Sequence, residues 1–229
     1  IEAGKRGRKV LLVDHYKKIG EKIRISGGGR CNFTNINTNP SKFLSQNPKY
    51  VRSALSQYTQ NDFINLIKKH EIDFHEKKLG QLFCDHSAQQ IVEMLLKECE
   101  LANVTILKEF IVKDVSKDND QYLVSTETEQ YLGQSLIIAT GGLSVPKIGA
   151  TSFGYEIAKK FDHNIIETLP ALVPLTFSEK ILEMCKELTG LSVEAIVSLN
   201  KVLFQEGMLF THRGLSGPSI LQISSYWKQ

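Results

Sequence analysis

The 229-residue sequence has no apolar run long enough to cross a membrane. A spanning helix needs about 20 consecutive apolar residues, and the start of the chain, IEAGKRGRKV, has no apolar stretch typical of a signal peptide. The four cysteines are widely spaced, with no C-x-x-C pair, which favours reduced thiols over a disulfide framework. We therefore expect a cytoplasmic protein with no membrane partner.

A strong excess of charge of one sign is also missing. The chain has 28 Lys and Arg against 25 Asp and Glu, a formal net charge of +3. The cations are scattered, as in KRGRK at 5–9, which is typical of solvated faces. We therefore expect no nucleic-acid partner. With 41% hydrophobic and 23% charged residues, the composition is that of a globular protein with one large domain or two small ones.

Several motifs that carry chemistry are absent from the sequence. No G-x-x-x-x-G-K-[ST] run marks a P-loop, and no G-x-S-x-G marks a hydrolase nucleophile. Four potential metal ligands, His70, His75, Cys84 and His86, have irregular spacing, and HEIDFH is not H-E-x-x-H. These absences argue against an NTPase and a serine hydrolase, and we expect no metal site.

The most informative local feature is the run Gly27–Gly29, which lies between Ser26 and Arg30. Three glycines weaken a fold unless the backbone must adopt positive φ or approach a ligand closely. An Arg directly after them adds a planar set of donors suited to phosphate. The run therefore favours a loop that binds an anionic ligand, with a flexible surface turn as the alternative.

A second feature is Asp14, which ends the apolar run KVLLVD. In a dinucleotide-binding βαβ unit, the second strand ends in an acidic residue that accepts hydrogen bonds from a ribose. The end of a helix, IEAGKRG, precedes this strand, as that unit requires. The first strand and its G-x-G-x-x-G turn would precede Ile1, so we expect the chain to lack them. The alternative is that Asp14 only ends a surface strand.

The remaining elements follow from apolar periodicity, caps and turn residues. The apolar run Leu136–Ala139 leads into Thr140 and predicts a central strand that is buried on both faces. The other expectations are helices over 50–70 with Asn61 as a cap, a hairpin around Gly80, a helix capped by Ser87, further β-runs between 104 and 133, a helix within 149–163 and β-runs over 175–229.

Three longer motifs stand together: GEKIRISGGGRCNFTN, LIIATGGLSVPKIGATSFGYEIA followed by PALVPLTF, and LFTHRGLSGPSILQIS. This combination resembles the YhiN/BaiN-like family of NAD(P)/FAD-dependent oxidoreductases. The resemblance implies an α/β fold, with a Rossmann-like FAD-binding domain of the glutathione-reductase type and an inserted, mainly β, barrel-like domain. It assigns 1–170 to the first and 171–229 to the start of the second. Family members continue at both ends, so we expect a truncated chain.

The same resemblance implies which residues contact FAD. Asp14 would hold the adenosine ribose, the backbone of Val112 would meet the adenine, and a second turn would approach the cofactor closely. The full set of expected contacts is Asp14, Ser26, Gly27, Gly28, Gly29, Arg30, Cys31, Asn32, Val112, Thr140, Gly141 and Gly142.

The implied activity is transfer of hydride from NAD(P)H through FAD to an unsaturated small-molecule substrate. The alternative is a non-catalytic module for binding or scaffolding that keeps the fold. No catalytic residue is assigned, since Cys31 and His212 each have a structural explanation that is at least as good as a chemical one. The substrate and the oligomeric state stay open.

Overall fold

The computed structural model describes residues 1–227. The chain divides into two units, one of Ile1–Ile165 and one that begins at Ile166. Such a division does not by itself define domains, so the assignment of 1–170 and 171–229 stays a prediction. The elements of the first unit are α1 (Glu2–Lys5), β1 (Val10–Val13), α2 (Glu21–Ile25), β2 (Asn32–Asn35), α3 (Arg52–Gln57), α4 (Gln60–Lys69), β3 (Phe74–Glu76), β4 (Gln81–Cys84), α5 (Ala88–Leu101), β5 (Val104–Leu107), β6 (Asp114–Asp118), β7 (Gln121–Ser125), β8 (Gln130–Gly133) and α6 (Phe153–Lys160).

The first unit contains a parallel pair of strands, β1 and β5, in which Val10 lies opposite Val104. The predicted strand KVLLVD is therefore confirmed. The carboxyl ends of parallel strands meet at the same edge of a sheet, and hydrogen bonds continue the pairing there. The Asp14 amide donates to the Leu107 carbonyl at 2.9 Å, and the Phe110 amide donates to the Asp14 carbonyl at 3.0 Å. This edge holds Asp14 in place.

A second layer packs α4 and α5 against the antiparallel sheet β2-β4-β3. The predicted cap of α5 is confirmed, since the Gln89 amide donates to Ser87 Oγ at 3.1 Å. The predicted cap of α4, Asn61, is wrong. The helix is capped two residues earlier, at Thr59, because Thr59 and Asp62 form a reciprocal capping box that satisfies two backbone amides. The buried residues between these elements are Cys31, Ile67, Ile72, Cys84, Ala88, Ile91 and Met94.

One carboxylate is buried beside this core. The Glu98 side chain on α5 is only 1% exposed, and three cationic or titratable groups surround it. Lys5 Nζ lies 2.7 Å from Glu98 Oε2, while Lys69 Nζ and His70 Nε2 each lie 2.8 Å from Oε1. The hydrogen bonds from Lys5, Lys69 and His70 lower the Glu98 pKa from 4.5 to about 2. This cluster joins α1, α4 and α5.

The segment 134–145 contradicts the predicted central strand over Leu136–Ala139. It contains no helix or strand, and the Ile137 side chain is 80% exposed. A strand forms only beside a neighbour that completes its hydrogen bonds. Among residues 1–227, β1 pairs with β5 alone, and no strand pairs with 136–139. The apolar run therefore lies uncovered in the structure.

The rest of the first unit follows the predicted pattern more closely. Strands β6, β7 and β8 form an antiparallel sheet, and the turn KDND joins the first two, with Asn119 in the left-handed region at φ 51°. Helix α6 lies within the range 149–163 that the sequence predicted. No helix in the part of the chain described here is both long and apolar enough to cross a membrane.

The elements of the second unit are β9 (Leu175–Thr176), α7 (Glu179–Glu187), β10 (Ser192–Leu199), β11 (Val202–Thr211), β12 (Gly214–Ser216) and α8 (Pro218–Ser224). The four strands form an antiparallel sheet in the order β10-β11-β12-β9, so the β-runs expected over 175–229 are confirmed, whereas the helices α7 and α8 were not predicted. A close approach holds the last helix to it: a Cβ built on Gly217 would lie 2.6 Å from the Gly207 carbonyl oxygen, and Ser219 Oγ donates to that oxygen at 3.1 Å.

Candidate functional site

The glycine run forms a tight turn between α2 and β2. Gly27, Gly28 and Gly29 have φ values of 58°, 66° and 85°, in the left-handed region that residues with a Cβ rarely adopt. The turn closes when the Cys31 amide donates to the Ser26 carbonyl at 3.0 Å. The run is thus a defined turn whose backbone requires glycine.

The three glycines have different surroundings. A Cβ built on Gly27 would lie 2.6 Å from Phe83 Cε1 and 2.8 Å from the Asn32 backbone nitrogen, so Gly27 packs tightly against the sheet. A Cβ built on Gly28 would meet no atom within 4 Å. The turn is therefore anchored at Gly27 and faces open space at Gly28. That arrangement leaves room for a ligand to approach the backbone.

The polar side chains around the turn differ in whether they are already bonded. Ser26 Oγ donates to the Ile23 carbonyl at 2.9 Å. The Asn32 amide, with its nitrogen turned inward, donates to backbone carbonyls on β2 and β4 at 3.2 and 3.3 Å. The Arg30 side chain is exposed and makes no hydrogen bond or ion pair with any residue that the structure describes. Arg30 is therefore free to bind an anion.

Cys31 takes part in this turn through its backbone amide, and its thiol is hydrogen-bonded with Ser26. Its side chain is 5% exposed and packs in the core with Cys84. Burial raises the pKa of the Cys31 thiol, which disfavours the thiolate that redox chemistry needs. The structure thus gives the Cys31 side chain a packing role, and the expected contact of Cys31 with FAD stays a prediction.

The second expected contact segment, Thr140–Gly142, lies beside α2. Lys22 Nζ donates to Ser144 Oγ at 3.1 Å and would lie 3.5 Å from a Cβ built on Gly141, which has φ 74°. Sequence analysis missed Lys22, although it precedes the glycine run by one helical turn. Through Lys22, the structure brings the second segment to the helix that leads into the glycine turn.

Helix α6 contacts the same segment on another side. A Cβ built on Gly154 would lie 2.6 Å from Thr140 Oγ1, and one built on Gly142 would lie 3.1 Å from the Tyr155 hydroxyl. Gly154 therefore packs closely against Thr140, whereas a Cβ at Gly142 would require the Tyr155 hydroxyl to shift slightly. The motif GATSFGYEIA therefore serves to seat the Thr140–Gly142 turn.

Asp14 and Val112 lie at the carboxyl edge of the β1–β5 pair. Asp14 Oδ1 accepts a hydrogen bond from the Tyr16 amide at 2.8 Å, and the side chain remains 33% exposed. The backbone of Val112, between β5 and β6, makes no hydrogen bond with the described residues. His15, next to Asp14, lies close to Gly149, since a Cβ built on Gly149 would lie 2.5 Å from His15 Nε2.

Two of the three histidines considered as metal ligands, His70 and His75, bind carboxylates. His70 bonds to Glu98, and His75 Nδ1 lies 2.6 Å from Asp85 Oδ1. Within residues 1–227, no group of three or more His, Cys, Asp or Glu side chains could hold a metal ion. His212 is exposed in the turn between β11 and β12.

Comparison with known families shows to which family the chain belongs. The family model of the HI0933-like protein Rossmann domain matches residues 1–220. The chain belongs to this family. Its α/β architecture, with a parallel strand pair and antiparallel sheets, is therefore Rossmann-like, with an added β part. The fold class expected from the sequence motifs is confirmed.

Three curated relatives align with nearly the whole chain. Two are named ribosomal RNA dihydrouridine synthase: one from Escherichia coli K12 is 52% identical over 99% of this chain, and one from Haemophilus influenzae Rd is 46% identical over 99%. A 3-dehydro-bile acid delta(4,6)-reductase from Clostridium scindens is 24% identical over 95%. The chain covers 57%, 58% and 54% of these relatives, respectively, or a little over half of each.

These names bear on two expectations. The distant reductase supports the predicted flavoprotein lineage. The two ribosomal RNA names are in tension with the expectation of no nucleic-acid partner, which rested on the low net charge and the scattered cations. Net charge averages over the whole chain and does not reveal a local concentration of cations.

Proposed function

We propose that this protein is a flavin-dependent reductase that saturates a carbon–carbon double bond conjugated to a carbonyl group, and that its substrate is a uridine in ribosomal RNA. Dihydrouridine is uridine whose C5–C6 double bond, conjugated to the C4 carbonyl, has gained two hydrogens. The double bonds of a 3-dehydro-Δ4,6 steroid are conjugated to a carbonyl in the same way. The names of the relatives thus describe one kind of chemistry on two substrates.

The observation that carries the cofactor assignment is the open side of the glycine turn. The space above Gly28, the left-handed backbone of the three glycines and the unbonded Arg30 together fit an anionic dinucleotide. FAD, when bound, supplies the hydride chemistry, and the protein supplies position and electrostatics. NAD(P)H is the proposed source of electrons.

In this proposal each part of the site has a separate role. Arg30 and Lys22 offset the negative charge of the pyrophosphate, since both are exposed cations without a carboxylate partner in the described structure. Asp14 accepts hydrogen bonds from the ribose, and the free peptide groups of Val112 meet the adenine edge. Gly141 and Gly142 let the second turn approach the cofactor.

The substrate assignment is tested by nucleoside analysis of ribosomal RNA. Deleting the gene in its host should remove one dihydrouridine from the RNA, and expressing the full-length protein again should restore it. Mass spectrometry detects the product because it is heavier than uridine by two hydrogens. An unchanged dihydrouridine content after deletion would contradict the substrate. Retained flavin without any product would instead support the non-catalytic module.

The cofactor assignment has its own test in Arg30. The substitution Arg30→Gln removes a charge-assisted contact worth roughly 1.5–3 kcal/mol, so FAD affinity should fall by about tenfold to a hundredfold. Arg8→Gln is the matched control, because Arg8 is an exposed cation on the chain entering β1, away from both turns. Equal affinities in titration of the two variants would show that Arg30 does not contact the cofactor.

A further inference from the structure

The cations of this chain are less evenly placed than its net charge suggests. Residues 22–61 contain six Lys and Arg and no Asp or Glu, whereas the rest of the chain has 22 Lys and Arg against 25 Asp and Glu. One continuous stretch therefore carries all of the excess positive charge. It begins in α2, passes through the glycine turn and β2, and ends at the start of α4.

The six cations fall into two groups. Lys22, Arg24 and Arg30 flank the glycine turn, whereas the second group lies between β2 and the body of α3. The second group consists of Lys42, Lys49 and Arg52, which are all exposed and have no carboxylate partner in the described part of the chain. Unpaired cations of this kind bind phosphates with release of counterions.

The segment that carries the second group is held in a defined shape. Asn47 closes a turn, with its Oδ1 accepting from the Lys49 amide at 3.1 Å and its carbonyl accepting from the Tyr50 amide at 3.2 Å. Val51 is 9% exposed and fixes the turn to the protein. Tyr50, next to it, is 54% exposed. The cations and the aromatic ring are thus presented from a fixed backbone.

We propose that Lys42, Lys49, Tyr50 and Arg52, together called the 42–52 surface, bind a single-stranded segment of RNA. This inference rests on the proposed function and names the surface that receives the substrate. The cations contact phosphates, and an unpaired base stacks on Tyr50, which is how proteins commonly hold single-stranded RNA. The chain path supports it: β2, whose four residues span about 13 Å, leads from the glycine turn toward this surface.

The test uses the full-length protein and a short, unstructured, fluorescently labelled RNA oligonucleotide, with binding measured by anisotropy at several salt concentrations. Log affinity falls as log salt rises, and the triple variant K42Q/K49Q/R52Q should make this slope shallower by about 2. Each lost single-strand phosphate contact removes about 0.7 from its magnitude. Tyr50→Ala should weaken binding by about tenfold to a hundredfold with no change in slope.

The matched control is K68Q/K97Q/K117Q, which removes the same charge from three exposed residues elsewhere in the first unit. It should keep the wild-type slope, and every variant should keep its flavin and its circular dichroism spectrum. Equal losses of RNA affinity and salt slope in the triple variant and the control would overturn the proposal. A wild-type protein that does not bind the oligonucleotide would overturn it as well. A variant that changes its oligomeric state but not its RNA affinity would identify the 42–52 surface as a protein interface. That result would also overturn the proposal.

The RNA-binding test and the test of the proposed function can fail independently of each other. Dihydrouridine formation by the wild-type protein tests the reaction, whereas the salt slope of the variants tests the surface. A wild type that makes dihydrouridine, together with a triple variant that binds RNA normally, would leave the reaction standing and remove the 42–52 surface.

Discussion

The glycine turn at Gly27–Gly29 and the apolar run at Leu136–Ala139 lie in the same unit. The turn is hydrogen-bonded and packed, whereas the run is unpaired and exposed. The turn is closed by its own backbone hydrogen bonds and anchored on Phe83. The run has no pairing strand within residues 1–227, and its Ile137 is 80% exposed. The turn is set by residues that are close in sequence, whereas the run depends on a neighbouring strand. The parts of this site that depend only on residues close in sequence can therefore be predicted more reliably than those that depend on strand pairing.

The largest effect is expected at Glu98, in the packed part of the first unit. Glu98→Gln removes the charge that Lys5, Lys69 and His70 surround, and breaking a buried ion pair in this way costs roughly 3–5 kcal/mol. Urea unfolding at neutral pH should show this loss. Glu100→Gln, an exposed residue paired with Lys97 on the same helix, is the matched control and should change stability little.

The same pair of variants predicts a pH dependence. Because the Glu98 pKa is lowered from 4.5 to about 2 in the folded protein, its stabilising effect is complete above the unfolded value and is lost as pH falls toward 2. The difference in unfolding free energy between wild type and Glu98→Gln should therefore shrink below pH 4.5. A difference that stays constant down to the acid transition would mean that Glu98 is not ionised in the cluster.

The second prediction separates packing from ligand binding within the turn. Gly27→Ala and Gly28→Ala both place a Cβ in the left-handed region, at a cost of roughly 1–2 kcal/mol each. Gly27→Ala adds a clash with Phe83, which should raise its loss by about 1–3 kcal/mol.

Flavin retention distinguishes the two positions further. Gly28→Ala should remain folded by circular dichroism and lose flavin, because its Cβ occupies the open side of the turn. Thermal unfolding and flavin content measured on both variants check this expectation. If Gly28→Ala keeps its full flavin content, the open side of the turn is not the cofactor surface.

A third prediction concerns the other edge of the proposed site. Asp14→Ala removes an acceptor for the ribose hydroxyls, a charged hydrogen bond worth roughly 1.5–3 kcal/mol, so FAD affinity should drop by about tenfold to a hundredfold. Asp14→Asn is the control, because it removes the charge but keeps an oxygen that accepts from the Tyr16 amide, so the local turn is preserved. Normal FAD affinity in both variants would show that Asp14 only ends β1.

The smallest effect is expected in the apolar run, at Ile137. Ile137→Ser changes a side chain that is 80% exposed, so unfolding free energy should change by less than about 0.5 kcal/mol. The control is Ile67→Ser, at a site that is fully buried in the core, where the loss should reach several kcal/mol. A large loss at Ile137 would show that the apolar run is paired and buried after all.

Much of the fold could be predicted from local signals. The strand before Asp14, the hairpin around Gly80 and the helix capped by Ser87 were all correct, because an apolar run, a turn glycine and a capping side chain each act within a few residues. The cap at Asn61 was wrong because Thr59 and Asp62 satisfy each other's backbone amides better. The strand over Leu136–Ala139 was wrong because pairing is not a local property.

The candidate site shows the same division. The left-handed glycines and the exposed Arg30 could be expected from their residue types alone. The link from Lys22 to Ser144 spans 122 residues, so no local pattern predicts it. The buried Cys31 side chain likewise depends on its tertiary neighbours, Cys84 among them.

We propose that the turn at Gly27–Gly29, together with Arg30 and the segment Thr140–Gly142, holds a flavin dinucleotide. The most direct measurement is the absorption spectrum of the purified full-length protein, followed by release and chromatography of any bound flavin. We predict the flavin bands, with FAD released in an amount close to one per chain. A colourless protein that also fails to bind added FAD in titration would contradict the account.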